Sequence, residues 1–357
     1  MGNSLMAKGK LTTQILDESA YPDWIDLVEQ SSCGSIYSRP DYLDILCEAT
    51  GGRYRILGVY QGEQLLGGIG LYESQAPGGL ILSNRLLLYY NSIVTRDYET
   101  RYPSERTSKE LAILGELEQY IARAGYAHTV IHCRHTITDF RPFLSNGWSV
   151  RPSYSYIVWI DDIEQAYGRI EQNLRRLIKR SEQADLTVAE DDDFESFFDL
   201  HYQTHQRKGS PVYLPKEKYR RYIERLRASG LGRLYHVRLP SGQSVASQLV
   251  LLGDHPVTHT VCAAADPEHM KLGTTPFLRW KVLELLAADG YYGNDLTDAT
   301  LNEVTRFKSQ LGGELVTNFV LGRPDSTGYK LRRDISRFAS RGRSIVGRIL
   351  RGSGRDS

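Results

Sequence analysis

Apolar and polar positions alternate along this chain in an order that occurs twice. Residues 54–72 hold two apolar runs around a Gln-Gly-Glu-Gln turn, and residues 232–252 hold two more around Pro-Ser-Gly-Gln. Each pattern predicts a β-hairpin. Further on, "LEQYIARAG" and "LELLAADG" each predict a helix stopped by a glycine, Gly125 or Gly290, with a strand after it. A second helix and a second glycine stop follow in each case, at Gly147 in "FRPFLSNGWSV" and at Gly312 in "VTRFKSQLGGELV". The two stops are 22 residues apart in both copies. Each copy therefore reads hairpin, strand, helix, strand, helix, strand, which predicts an α/β fold with a mixed sheet flanked by helices. The pattern divides the chain into a first unit over residues 1–161, a second over 162–325 and a tail over 326–357.

Between the units, residues 163–186 predict one strong helix, with Ile163, Ala166, Ile170, Leu174, Leu177 and Ile178 along one face. Arg175, Arg176, Lys179 and Arg180 lie on or beside the other face. Two readings of this cluster stay open: a solvated face paired with Glu171 and Glu182, or a site for phosphate or RNA.

Composition narrows the class without changing the fold. The 357 residues are 41% hydrophobic and 24% charged, as in ordinary soluble domains. No run approaches the roughly 18 apolar residues of a membrane span, and the N-terminus has no apolar signal core. Met6 stands where a myristoylation signal requires Ser or Thr. Cys33, Cys47, Cys133 and Cys262 form no CxxC pair, which points to free thiols in a reducing cytoplasm and to no zinc site. His128 and His132 share a strand face, but no acid or thiol joins them at ligand spacing, so no metal is assigned. The tail carries nine basic residues against Asp334 and Asp356; its +7 leaves −6 for the rest of a chain whose total is +1. Leu331, Ile335, Phe338, Ile345 and Ile349 form a helical stripe among its arginines, as in a helix that rests on anionic lipid. A partner helix, an RNA contact and a disordered tail are the competing readings.

In "VTRFKSQLGGELV", Val304, Phe307 and Leu311 sit at helical spacing toward a core, and Lys308 follows the phenylalanine directly. Taken alone, Lys308 reads as a surface lysine near a helix C-terminus. The tandem units, the basic helix opening the second and the Arg-Phe-Lys with Gly-Gly together resemble the FemAB family of the GNAT N-acyltransferase superfamily. The matching pieces include "YSYIVWI", "NLRRLIKRSEQADLTV", "SGQSVASQLVLL", "NDLTD" and "RFKSQLGGELV".

The resemblance implies transfer of an acyl or aminoacyl group from aminoacyl-tRNA or acyl-CoA, as co-substrate, to an amine of a peptidoglycan or polysaccharide precursor. It places Lys308 at the reacting carbonyl, brings Phe307 with it, and assigns the family's strand-end acid to Asp295, with Asp298 as the alternative. A fixed ammonium there stabilises the tetrahedral oxyanion more than the ground state. The first unit has Phe143 at the equivalent place, so it implies one chemical centre, in the second unit. Tyr37 and Arg39 fall where the family's substrate cleft begins, and Arg175, Arg176 and Arg180 become candidates for substrate phosphates. Gly273 and Thr274 stand where CoA-binding relatives cradle a pyrophosphate at a helix N-terminus. Thr275 replaces the second small residue of that loop, and Thr274 also reads as an ordinary N-cap. Two rival functions follow: an acetyl-CoA-dependent N-acetyltransferase of an amino sugar, and a catalytically silent binding protein. The expected location is the cytoplasm, with a peripheral contact at the inner membrane face through the tail.

Overall fold

A computed structural model describes residues 10–85 and 87–335. Its strands are β1 (Leu11–Ile15), β2 (Arg53–Gln61), β3 (Gln64–Ala76), β4 (Gly79–Leu82), β5 (Ile93–Thr95), β6 (His128–Cys133), β7 (Ser149–Trp159), β8 (Thr187–Glu190), β9 (Gly232–Arg238), β10 (Ser244–Leu251), β11 (Val257–Ala265), β12 (Gly293–Asp295) and β13 (Glu314–Arg323). The helices are α1 (Tyr21–Gln30), α2 (Pro40–Thr50), α3 (Pro103–Arg123), α4 (Arg141–Ser145), α5 (Ile163–Arg169), α6 (Gln172–Gln183), α7 (Phe194–Arg207), α8 (Lys216–Ala228), α9 (Thr274–Ala288) and α10 (Glu303–Gln310).

All the strands join one mixed sheet in the order β1-β2-β3-β4-β6-β13-β7-β12-β11-β10-β9-β8, with β5 against β3. The two expected hairpins are β2–β3 and β9–β10. The helix-stop glycines all adopt the left-handed conformation, with φ of 72° at Gly125, 78° at Gly147, 89° at Gly290 and 85° at Gly312. The strand order exposes an exchange. In the repeat, β6 and β7 correspond to β12 and β13, yet β7 pairs with β12 and β13 pairs with β6. Each copy's last strand completes the other copy's sheet, and β7 and β13 zip together from Glu314 opposite Ile157 to Gly322 opposite Ser149. One apolar core is likewise shared: Tyr42, Leu46 and Tyr72 pack with Phe197, Tyr219, Tyr222 and Leu249.

Two local expectations are corrected. Residues 163–186 do not form one helix: Ile170 is extended at ψ 131° and separates α5 from α6. The break lets the Glu171 N–H donate to the Gln310 carbonyl at 2.9 Å, which satisfies the end of α10. The apolar stripe survives the break because Ala166, Ile170, Leu174 and Ile178 all remain in the core. Leu311, which caps α10, is buried and Phe307 within the helix partly so, but Val304 is 49% exposed; Thr305 and Lys308 are the buried helical positions.

The tail enters a helical segment over 327–335. Tyr329 stacks on the His128 ring at 5.0 Å, while Asp325 bonds both His128 and Arg333. Leu331 and Ile335 are exposed; Phe338, Ile345 and Ile349 lie outside the described residues. No helix among the described residues is long and apolar enough to cross a membrane.

Gly273 closes the approach of α9 to α6. It sits at φ 89°, and a Cβ there would lie 2.4 Å from the Leu177 carbonyl oxygen. At Gly290 the φ is equal, but a Cβ would meet nothing within 4 Å. Gly290→Ala should therefore cost only the left-handed penalty, about 1–2 kcal/mol. Gly273→Ala should lose distinctly more, because α6 must also move; urea unfolding of the two variants measures the difference.

Candidate active site

Strands β11 and β12 run parallel, but they pair only from Val257–Gly293 to His259–Asp295. Beyond that point β11 continues to Ala265 while the chain turns away from the sheet after Asp295. A bulge falls at the same level, where Leu249 faces Cys262 but Val250 faces Thr260. The skipped Val261 keeps a carbonyl that accepts from the Tyr89 hydroxyl at 3.2 Å. Side chains lace the two strands up to the divergence: Thr260 Oγ1 donates to Asn294 Oδ1, and Asn294 Nδ2 to Thr258 Oγ1, each at 2.8 Å.

Helix α10 lies over this opening. Asn302 caps it by accepting the Thr305 N–H at 3.0 Å. Lys308 points inward and is only 8% exposed. Its Nζ donates to the carbonyls of Thr297, at 2.6 Å, and Asp298, at 2.5 Å. Burial, then the nearby positive charge of Arg279, lowers its pKa to about 8, against the opposing pull of Asp298 and Asp295. Arg279, on α9, is itself pushed down to about 10 by burial, and its Nη1 has no hydrogen-bond partner among the described residues.

Behind Lys308 lies Asp295. Its Oδ1 accepts the Thr297 N–H at 2.7 Å and its Oδ2 accepts the Tyr90 hydroxyl at 2.9 Å. His259 Nδ1 stands 3.6 Å from Oδ2. Burial would raise the Asp295 pKa, but His259, Arg134 and the Thr297 N–H outweigh it, so the carboxyl is held below its ordinary value. Burial drives His259 the other way, downward. Tyr37 completes this wall: it is buried, with its ring 4.8 Å from His259 and 5.7 Å from Tyr90.

The structure thus brings Lys308, Asp295 and Tyr37 together, with Phe307 packed on the core side of the same helix. Of the two candidate acids, Asp295 supplies a buried carboxylate, whereas Asp298 offers Lys308 a carbonyl and exposes its side chain. Arg39 is elsewhere and already engaged. It binds Glu29 and Asp41, each at 2.8 Å, and Asp254 of the β10–β11 turn, so it braces the two halves and is not free for a substrate phosphate. Gly273 and Thr274 are both buried where α6 packs on the start of α9. Ser181 Oγ seals that contact by donating to the Leu272 carbonyl at 2.8 Å.

Arg175 and Arg176 border an open depression of about 330 Å³ with Tyr167, Gln172 and Lys179. The Arg175 guanidinium lies 5.9 Å from the Tyr167 ring centre. Arg180 departs from this set and donates to the Lys271 carbonyl at 3.0 Å. Sequence reasoning does not single out Tyr90, Thr297 or Arg279, and offers His259 only as one of three histidines, with His255 and His269, that could serve as a general base. Only the Asp-Leu-Thr spacing of 295–297, an Asx-turn pattern, carried a local signal. Among the described residues, no group of His, Cys, Asp and Glu side chains is arranged to hold a metal.

Comparison with known proteins bears on the family and the fold. Residues 168–309 match the family described as "Acetyltransferase (GNAT) domain", a span that includes β9 to β12 and Lys308. The fold is similar to that of FemX, at TM-score 0.66 and 12% identity over 87% of this chain and 96% of that one. It is also similar to L-PGS from Bacillus licheniformis, at 0.56 and 11% over 88% and 94%. A tandem GNAT protein from the clavulanic acid biosynthesis pathway aligns at 0.52 and 12% over 89% and 100%. No curated protein sequence matches the chain.

The lowered pKa of Lys308 has a consequence for stability. Between about 8 and the ordinary 10.5, the unfolded chain holds a proton that the folded chain has released. Stability must then rise with pH across that window, by up to about 1.4 kcal/mol per unit. Lys308→Met should flatten the rise, and the difference between the two proteins in urea unfolding at pH 7.5 and 10 measures it.

Proposed function

We propose that this chain, which carries a GNAT acyltransferase domain over residues 168–309, transfers an acyl or aminoacyl group to an amine. The observation that carries the reading is the Lys308 ammonium, fixed by two carbonyls where β11 and β12 diverge. An ammonium has three N–H donors. Two are spent on Thr297 and Asp298, and the third is available to a reacting oxygen. The acceptor nitrogen attacks the donor's carbonyl carbon and forms the C–N bond. The carbonyl oxygen gains negative charge, the C–O or C–S bond then breaks, and the leaving oxygen or sulfur takes up the proton that the amine gives away. With a pKa near 8, Lys308 is mostly charged at neutral pH and suits the role of oxyanion donor.

Aminoacyl-tRNA is favoured over acyl-CoA as the donor. The N-terminus of α9, where a pyrophosphate would sit, is covered by α6 and leaves Thr274 fully buried. The depression beside Arg175 and Arg176 offers phosphates a basic surface instead, and the Glu171–Gln310 contact sets its end of α6 against α10. The resemblance of the sequence to the FemAB family implies an amine of a cell-envelope precursor, of peptidoglycan or polysaccharide, as acceptor. An acetyl-CoA-dependent amino-sugar acetyltransferase is the second reading, and a silent binding protein the third.

Purified protein given radiolabelled aminoacyl-tRNA or acetyl-CoA, with envelope precursors, separates the three. Label should pass from the aminoacyl donor to the precursor; transfer from acetyl-CoA alone supports the second reading, and no transfer from either the third. In the productive assay, Lys308→Ala should lower turnover by about 100-fold to 1,000-fold. A folded variant with near-normal turnover would remove Lys308 from the mechanism. Reversing the charge of Arg175 and Arg176 should instead raise KM more than it lowers kcat, with a smaller effect at high salt. Unchanged kinetics at low salt would leave these arginines as a solvated face.

A further inference from the structure

Thr297 has φ 52°, a conformation that a β-branched residue avoids. Two bonds hold it there. Its N–H donates to Asp295 Oδ1 at 2.7 Å, and its Oγ1 to the Thr260 carbonyl at 3.2 Å. The turn this produces directs the carbonyls of Thr297 and Asp298 at the Lys308 Nζ. The other oxygen of Asp295 is tied to the first half of the chain through the Tyr90 hydroxyl. Tyr90 in turn lies 3.3 Å from Asn318 Nδ2, which also donates to Ser155 Oγ at 3.0 Å. Asp295 is 1% exposed, and its carboxylate is walled by Tyr90, His259 and Tyr37.

We infer that Asp295 is a positioning residue, whose carboxylate imposes the Thr297 turn that aims Lys308 and which exchanges no proton with the substrates. The inference rests on the role of Lys308 proposed above and changes the part that the resemblance implies for Asp295. An amide can do this work as well as a carboxylate, since Asn also accepts an N–H two residues on. A carboxylate one methylene longer cannot keep the same turn.

Asp295→Asn and Asp295→Glu therefore separate geometry from charge. The readout is acylation of Lys308 by acetic anhydride across a pH series, followed by mass spectrometry of its peptide in the full-length protein. It does not depend on transfer activity, so it fails or succeeds apart from the proposed function. The groups that act on Lys308 are Arg279 on α9, which lowers its pKa, and Asp298 and Asp295, which raise it. In the wild type the midpoint should fall near 8. Asp295→Asn keeps the turn and loses a negative charge, so its midpoint should stay there or fall slightly. Asp295→Glu keeps the charge and loses the turn, so the released lysine should titrate closer to its ordinary 10.5. A midpoint for Asp295→Asn above the wild type overturns the inference by itself, whether or not the Glu variant folds. So does a Glu variant that titrates like the wild type.

Discussion

Taking an ammonium group out of water costs several kcal/mol unless fixed polar groups replace the lost solvent. Lys308 meets this demand with two backbone carbonyls, and much of the second half is arranged around the need to present them. The carbonyls face inward because Thr297 is left-handed, Thr297 is left-handed because Asp295 and Thr260 hold it, and the space exists because β11 and β12 part just beyond them. Arg279 adds a second positive charge to the same hollow, without a hydrogen-bond partner for its Nη1 among the described residues. A site built this way sacrifices stability for an ammonium that is already desolvated before any substrate arrives.

The two halves are unequal partners in this arrangement. The second contributes Lys308, Asp295 and the divergent strands. The first contributes Tyr90 and Tyr37, which close the rear of the site, and β7, which pairs with β12 one strand away from β11. Arg39 ties α2 to the β10–β11 turn through carboxylates from both halves. These contacts give the first half a physical part in shaping the site, although it has Phe143 where the second has lysine.

The fold was readable from sequence where local physics governs. Equal glycine spacing marked equivalent helix ends, and each of those glycines proved left-handed, a conformation that side chains disfavour. Alternation marked the hairpins. What stayed hidden depends on partners distant along the chain. The partners of Arg39 include residues 10 and 215 positions away, so an arginine that looked available for phosphate is occupied. The break at Ile170 follows from a bond to Gln310, which no helical period within residues 163–186 could reveal. Lys308 stood out by its Phe-Lys-Gly-Gly setting, but its burial depends on the Thr297 turn, and left-handed threonine is not something a propensity scale anticipates. The exchange of β7 and β13 was equally hidden, because alternation specifies a strand and not its neighbour.

That exchange bears on how the chain is made. When a ribosome has delivered the first half, β6 has β4 on one side, but its other neighbour, β13, belongs to residues near the far end of the chain. Strand β7 is in the same position, since both its neighbours, β13 and β12, are still to come. At about 5–20 residues per second, the growing protein carries unpaired strand edges for roughly ten seconds or longer. Such edges pair readily with other chains. The nascent protein is therefore exposed to aggregation for most of the synthesis of its second half, and its sheet closes only when the last strand leaves the exit tunnel.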